Sequence, residues 1–399
     1  MKFRFIAGPV GLILMALLLS CSSSSNLTSA TSGTGLLFVA EQGNSTLSSY
    51  GITLGSGGLS GINAVSTGST PSGIAVTPGV DAVFVSSTAS DFVTSYSIGS
   101  DGTLTVGPTA KTGQNPMGLA VDPTGKFLFV ANQGTFSNAK SGSISVFSIN
   151  GTTLTQVSGS PFLTETATDI TGTGPVSVAV PPTGNYVYVA NQFTNTVSAF
   201  SYSSTGKLTA VPGSPFASCN LSNTSCIAPS AVAISPNGLF LLVANSGSNN
   251  VSSFALCVTV SVTCSAPNGA ITAVTNSPFP AGIGPGAIAF DPGFNFVYVA
   301  DQHSNEVSLY SFGPGSGVMT PLSPPTASTG TTPVSIGVRS GVIAADVGNS
   351  TLNTTDFVYV ANIGGTSLSI YSLTTATGIL GTPQTFTTLA GQPSAVVVK

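Results

Sequence analysis

The feature that most limits the fold of this chain is a motif that recurs seven times along it. The motif is a short apolar strand that ends in a small residue and a polar one, as in Tyr186–Asn191 (YVYVAN). The other copies are Leu36–Glu41, Ala82–Ser87, Phe127–Asn132, Phe240–Asn245, Phe296–Asp301 and Phe357–Asn362. They recur every 45 to 61 residues, a spacing typical of β-propeller blades and wider than most solenoid repeats, which are roughly 20–35 residues.

Three further motifs define the remaining strands; two of these motifs accompany every copy, whereas the third recurs four times. An aliphatic residue, a hydroxyl and an aromatic recur at fixed spacing, as in Val197–Phe200 (VSAF), and a Gly-x-Leu-Thr element such as Gly206–Thr209 (GKLT) indicates an outer strand. A proline, any residue, a small residue and then an apolar triplet, as in Pro229–Ile234 (PSAVAI), mark a strand start, because proline is tolerated there but not inside a ladder. Each unit is therefore predicted to contain four antiparallel strands.

The two ends of the repeat array predict that it closes on itself. The array opens with the second strand of a unit, Leu36–Glu41, and ends with a lone first strand that starts at Pro393. We therefore expect an all-β, seven-bladed β-propeller over residues 36–399, in which the last strand completes the first blade. We expect it to be a monomer.

The N-terminus is typical of an exported lipoprotein. Two basic residues precede an apolar run over 6–19, which is the layout of a signal peptide and is short for a bilayer span. Leu18–Cys21 resembles a bacterial lipobox, so residues 1–20 are predicted to be removed and Cys21 to be lipidated. Residues 21–35 are rich in Ser, Thr and Gly and are predicted to be a flexible tether. We expect an envelope protein anchored to a membrane, at the outer membrane or the cell surface.

Charge excludes one class of partner. After removal of the signal peptide, six basic and twelve acidic side chains remain, a net charge of −6. Six basic side chains are too few to form a positively charged surface that contacts successive phosphates of a nucleic acid. Nucleic-acid binding is therefore not expected. We expect no cofactor or metal, and a small polar ligand or a protein as the partner besides the membrane.

The four cysteines other than Cys21 fall into two pairs of equal spacing, Cys219 with Cys226 and Cys257 with Cys264. An even number of cysteines in an exported chain favours disulfides. A zinc site is the competing interpretation, but structural zinc cysteines are usually more closely spaced. Two local disulfides are predicted.

The YVAN, VSAF and PxxVAV repeats resemble those of YVTN-type β-propellers. The whole of residues 36–399 resembles the seven-bladed lactonase family, which includes 6-phosphogluconolactonase-like and carboxymuconate-cyclase-like proteins. The resemblance implies a lactone hydrolase or a related cycloisomerase. The repeated residues are mostly packing residues, however, and a fold does not define an activity.

Few residues of this chain suit such chemistry. Hydrolysis or isomerisation needs groups that stabilise an oxyanion and move a proton, yet the chain has a single histidine, and only one arginine follows the signal peptide. Arg339 is expected at a turn on the face opposite the Asn-ended strands. The candidate catalytic residues are Glu41, Asp301, His303 and Glu306, of which the last three form a small acid/base or metal constellation in one interpretation and a solvated turn in the other.

One polar position per blade is expected at similar height on one face. Glu41, Ser87 and Asp301 occupy it together with the candidate ligand-binding residues Asn132, Asn191, Asn245 and Asn362. These side chains either bind a ligand over the channel or bond to the backbone and shape the turn. The leading hypothesis is a non-catalytic, membrane-anchored binding or scaffold propeller. The alternatives are a lactone hydrolase or related cycloisomerase, and an adhesive envelope protein.

Overall fold

The computed structural model describes residues 35–53, 55–135, 141–164, 173–219, 226–259, 264, 268–339, 355–387 and 389–399. These residues form 32 strands in seven sheets, with short 3-10 turns at Thr88–Ser90 and Ile363–Gly365. The prediction of an all-β, seven-bladed propeller is confirmed. In the described stretches of the chain, no helix has the length and apolar character needed to cross a membrane. The predicted signal peptide, Cys21 and the tether up to residue 34 lie outside the described residues.

The first three blades are built from the following strands. Blade 1 contains β1 (Gly35–Glu41), β2 (Thr46–Ile52), β3 (Leu59–Ser66) and, from the other end of the chain, β32 (Pro393–Val398). Blade 2 contains β4 (Pro71–Val76), β5 (Ala82–Ser87), β6 (Phe92–Ile98) and β7 (Leu104–Lys111). Blade 3 contains β8 (Pro116–Val121), β9 (Phe127–Asn132), β10 (Ser143–Asn150), β11 (Thr153–Gln156) and β12 (Phe162–Leu163).

The other four blades repeat this arrangement. Blade 4 contains β13 (Pro175–Ala179), β14 (Tyr186–Asn191), β15 (Thr196–Tyr202), β16 (Leu208–Ala210) and β17 (Phe216–Ala217). Blade 5 contains β18 (Pro229–Ile234), β19 (Phe240–Asn245), β20 (Asn250–Leu256), β21 (Ile271–Ala273) and β22 (Phe279–Pro280). Blade 6 contains β23 (Pro285–Phe290), β24 (Phe296–Asp301), β25 (Glu306–Phe312) and β26 (Met319–Ser328). Blade 7 contains β27 (Pro333–Arg339), β28 (Asp356–Asn362), β29 (Ser367–Thr374), β30 (Ile379–Leu380) and β31 (Gln384–Phe386).

The proline-initiated strand is the innermost strand of every blade. These inner strands contact one another in cyclic order from β4 through β27 to β32, which returns to β4. Strand β32 also pairs antiparallel with β1, with Leu37 opposite Val398 and Glu41 opposite Pro393. The last strand therefore completes the first blade and closes the ring, as the register of the chain ends predicted.

The hydrophobic core lies between the blades. Buried apolar residues form seven clusters, each shared by two successive blades, and one of them joins blade 7 to blade 1 through Tyr359 and Leu37. Both faces of each middle strand are therefore buried, which explains why these strands are continuously apolar instead of alternating.

The outer turn of one blade docks on the middle strand of the preceding blade. The Tyr188 hydroxyl of blade 4 donates to the Gly269 carbonyl of blade 5 at 3.0 Å, and the Tyr359 hydroxyl of blade 7 donates to the Gly57 carbonyl of blade 1 at 3.0 Å. Gly269 has a φ of +78°, and a Cβ there would collide with the Tyr186 ring. Glycine is needed at this turn both for its backbone conformation and for the close approach.

The two predicted disulfides have different outcomes. Cys257 and Cys264 are bonded, with their Cα atoms 5.3 Å apart. Cys219 and Cys226 are both buried thiols and are not joined to each other, in contrast to the prediction. The backbone N–H of Cys226 donates to Cys219 Sγ at 3.1 Å, and Cys226 Sγ lies 3.6 Å from Ser252 Oγ. Equal spacing in sequence thus does not give equal geometry, because each pair sits in a different loop.

Candidate functional site

The candidate site is a cavity on the propeller axis. It has a volume of about 460 Å³, within the range of roughly 300–1,000 Å³ that is usual for small-molecule sites. All seven inner strands contribute to its wall, so the closed ring of blades creates it. Every described residue that lines it is uncharged.

Four glutamines from four blades line the end of this cavity where the middle strands finish. They are Gln42, Gln133, Gln192 and Gln302. Each follows directly on the last residue of β1, β9, β14 or β24, where the chain leaves the strand and turns. The Gln133 side-chain amide donates to the Gln192 side-chain carbonyl at 3.1 Å. A Cβ on Gly286 would overlap the Gln302 amide, so the glycine of β23 leaves space for that side chain.

Inner-strand serines also line the cavity, but their hydroxyl groups already join neighbouring blades. Ser394 Oγ donates to the Pro71 carbonyl of the next blade at 2.6 Å, and Ser230 Oγ donates to the Pro285 carbonyl at 2.6 Å. Ser177 Oγ accepts from the Val232 N–H at 3.1 Å. These hydroxyl groups therefore link neighbouring blades, and the cavity glutamines remain the candidates for contact with a ligand.

Farther along the inner strands the lining becomes aliphatic. The residues are Ile74, Leu119, Val232, Ile288, Ile336 and Val396. The cavity thus has an amide-rich mouth above an apolar floor. Such a site suits a small ligand with hydrogen-bonding groups on one side and hydrocarbon on the other.

The ring of Asn side chains does not face this cavity. Asn132, Asn191, Asn245 and Asn362 are fully buried inside their blades. Each donates through Nδ2 to the serine of the following strand: to Ser145 at 3.0 Å, Ser198 at 2.7 Å, Ser252 at 3.0 Å and Ser369 at 3.0 Å. The structure therefore places these candidate ligand-binding residues in a structural role, and the serine of the VSAF motif is their partner.

Glu41 and Asp301 occupy the same position and make the same type of contact. Glu41 accepts from Ser48 Oγ at 2.5 Å and from the Gly391 N–H at 2.6 Å, and Asp301 Oδ2 accepts from Ser308 Oγ at 2.7 Å. Both side chains are fully buried. Burial raises the pKa of Glu41, although the Ser48 and Gly391 bonds oppose the shift. Burial raises the pKa of Asp301 to about 7, against the bond from Ser308.

The predicted acid/base or metal constellation around His303 does not form a pocket. His303 is exposed and packs over Gly284, which directly precedes the inner strand β23, whereas Asp301 is enclosed in the blade. Glu306 lies opposite Asp301 on the neighbouring strand and is partly exposed. Among the described residues, no group of three or more His, Cys, Asp or Glu side chains is arranged to hold a metal ion.

Arg339 is the last residue of β27 and lies opposite Phe357, at the other end of that strand pair from Asn362. Its position on the opposite face agrees with the prediction, but it belongs to the strand instead of a turn, and its side chain is buried. Glu41, from blade 1, and Asp301, from blade 6, belong to separate buried networks. The four candidate catalytic residues are therefore not brought together in one site, although Asp301 and Glu306 are neighbours across β24 and β25.

The cavity glutamines were not predicted from the sequence, although a signal was present. They lie one residue beyond the position that was singled out, in four of the seven copies of the motif. Glutamine recurs there although packing between blades does not require it. This recurrence could have identified the four glutamines as candidate site residues.

Seven blades enclose an axial cavity whose volume is within the usual range of small-molecule sites. The chain belongs to the family described as lactonase, 7-bladed beta-propeller, whose model matches residues 59–159 and 163–336. A search of curated protein sequences finds no significant match.

Solved structures share the whole fold. The periplasmic gluconolactonase PpgL of Pseudomonas aeruginosa is 19% identical, with a TM-score of 0.72 over 92% of this chain and 99% of that one. A putative 6-phosphogluconolactonase of Bacteroides fragilis is 18% identical, with a TM-score of 0.71 over 93% and 99% of the two chains. A putative 6-phosphogluconolactonase of Bacteroides uniformis is 16% identical, with a TM-score of 0.68 over 92% and 99%. At these identities the likeness concerns the fold.

Proposed function

We propose that the protein binds a sugar lactone in the axial cavity and catalyses its hydrolysis by water. The observation that carries the proposal is the amide-rich mouth of a cavity to which all seven inner strands contribute. Membership of the lactonase family and the gluconolactonase name of a protein with the same fold support the choice of substrate class.

The cavity glutamines provide the chemistry that recognition of a sugar requires. A side-chain amide both donates and accepts, so it can pair with a sugar hydroxyl in either direction. The aliphatic floor matches the C–H face of a sugar ring. Together they are suited to hold a lactone with its carbonyl oxygen toward an amide N–H.

The same amides would stabilise the reaction. The oxygen of a water molecule attacks the lactone carbonyl carbon, the ring C–O bond breaks, and the proton of the water passes through solvent to the departing ring oxygen. Negative charge develops on the carbonyl oxygen, and an N–H donor already aimed at it lowers the barrier. None of the described lining residues is ionisable, so polarisation and positioning, not proton abstraction by a wall residue, would supply the acceleration.

The test uses the full chain and glucono-δ-lactone, with acid release followed above the spontaneous rate. The variants Gln42→Ala and Gln302→Ala remove single cavity amides. Each should lower kcat/KM, and loss of the amide that serves as the oxyanion donor should lower it by about 100-fold or more. Gln384→Ala removes an exposed amide of β31 and is the matched control, which should retain full activity. No acceleration by the unmodified chain across a panel of lactones would refute hydrolysis.

A second candidate function is binding without catalysis. It is favoured by the enclosure of Glu41 and Asp301 within their blades and by the exposure of His303 outside the cavity. Calorimetry with the same lactones would distinguish it, because binding that depends on Gln42 and Gln302 but yields no acid supports a binding protein.

Attachment to a membrane through Cys21 is proposed on the sequence alone. The variant Cys21→Ala of the full chain should lose incorporation of labelled palmitate and move from the membrane to the soluble fraction. Retention in the membrane fraction would contradict a lipid anchor at that residue.

A further inference from the structure

We infer that the axial cavity selects uncharged ligands and discriminates against phosphorylated ones. The inference deepens the proposed function, on which it rests, by naming the substrate class as an unphosphorylated sugar lactone. It is carried by the charges around the cavity.

The wall of the cavity offers amides, hydroxyls and hydrocarbon, and none of its described residues carries a charge. A phosphate group is strongly hydrated. Moving it from water into a site without a cation costs free energy that neutral amides only partly return.

The described cations lie away from the cavity mouth. Lys126 and Lys207 are exposed in turns at the opposite face. Arg339 and Lys399 lie at the same face, since Arg339 ends β27 and Lys399 follows β32. Lys111 is exposed at the end of β7, the outermost strand of blade 2. Lys140 lies outside the described residues.

Carboxyl groups, in contrast, stand directly behind the mouth. Glu41 precedes the cavity residue Gln42, and Asp301 precedes Gln302. The two belong to different blades, so a phosphate at the mouth would meet acidic groups from two directions. Asp301 has a pKa of about 7, so its negative charge, and with it the repulsion of a phosphate, increases as the pH rises through neutrality.

The structure offers a substitution that should convert the selectivity. Ile363 lines the cavity from blade 7 and contributes no polar side-chain group. Ile363→Lys introduces a cation there without removing a cavity amide. Ile283→Lys is the matched control, because Ile283 is 55% exposed and is not among the lining residues.

The experiment measures calorimetric affinities of the full chain for glucono-δ-lactam, a stable analogue of the lactone, and for its 6-phosphate. Initial rates with glucono-δ-lactone and its 6-phosphate are recorded alongside. The neutral lactam should bind at least about tenfold more tightly than its phosphate. Ile363→Lys should narrow that ratio by about fivefold or more, and Ile283→Lys should leave it within about twofold, since salt screens an exposed charge.

Equal or tighter binding of the phosphorylated lactam by the unmodified chain, or binding of neither lactam, would overturn the inference. An unchanged ratio in Ile363→Lys would also overturn it. If the neutral lactam is preferred but neither lactone is hydrolysed, the proposed hydrolysis fails while the selectivity stands.

Discussion

Asp301 is an acid in a position that four other blades fill with asparagine, and this difference predicts a specific effect of pH on stability. Its carboxyl group is fully buried and accepts from Ser308 at 2.7 Å. The equivalent Asn191 donates to Ser198 at 2.7 Å. Asp301→Asn therefore keeps the shape of the site and removes only the titration.

The size of the effect follows from the shift in pKa. The folded protein holds the pKa of Asp301 at about 7, above its ordinary value of 3.8. Because the folded state keeps the proton longer than the unfolded state, the free energy of unfolding falls as the pH rises from about 3.8 to about 7, and then stays level. Three pKa units correspond to roughly 4 kcal/mol. For a propeller of this length that is about 5 °C in Tm, at ~2.1 cal/mol/K per residue.

The assay is thermal unfolding of the unmodified chain and Asp301→Asn between about pH 3 and pH 8, on either side of the two pKa values of Asp301. The variants should melt together at the acid end, and Asp301→Asn should melt about 5 °C higher at the alkaline end. Asn191→Asp is the reciprocal control and should acquire the same loss of stability with rising pH. Parallel curves for Asp301→Asn and the unmodified chain would refute the reasoning.

Three further outcomes are expected. Gly269→Val should lower the free energy of unfolding by at least about 2 kcal/mol through backbone strain and collision with Tyr186. Gly151→Ala, whose added methyl group meets nothing within 4 Å, should lower it by only about 1 kcal/mol. Equal losses in urea unfolding would contradict the docking of blades through the Gly269 turn. Removal of residues 393–399 should open the ring at β1, so the truncated chain should be cleaved earlier than the unmodified chain in limited proteolysis. Val398→Ala should be cleaved no earlier than the unmodified chain. A truncated chain that resists the protease would mean that ring closure is dispensable. In a Cys21→Ala background, denaturation without reductant should expose two thiols to a maleimide, Cys219 and Cys226, and four labelled cysteines would contradict the bond between Cys257 and Cys264.

The sequence determined the architecture because the same packing requirements apply to every blade. Middle strands buried on both faces must be continuously apolar, inner strands begin at proline, and the asparagine at a strand end needs the hydroxyl of the next strand. These requirements repeat in register, so the number of blades and the closure by β32 could be counted from residues alone.

The direction of side chains at the channel was decided by the tertiary structure. Within a middle strand, side chains alternate between the two neighbouring blades, whereas the wall of the cavity is formed by the inner strands. The cavity glutamines reach the axis where the chain leaves the middle strand: Asn191, the last residue of β14, is enclosed in the blade, and the next residue, Gln192, lines the cavity.

The state of the ionisable and sulfur groups likewise depended on three-dimensional surroundings. Burial beside Ser308 raises the pKa of Asp301 to about 7, and the buried Cys219 and Cys226 are thiols whereas Cys257 and Cys264 are bonded. By itself, the sequence determined a closed seven-bladed ring, since that follows from repeated local packing. Only the assembled ring decided which polar residues face the axis, because that depends on how seven strand ends converge.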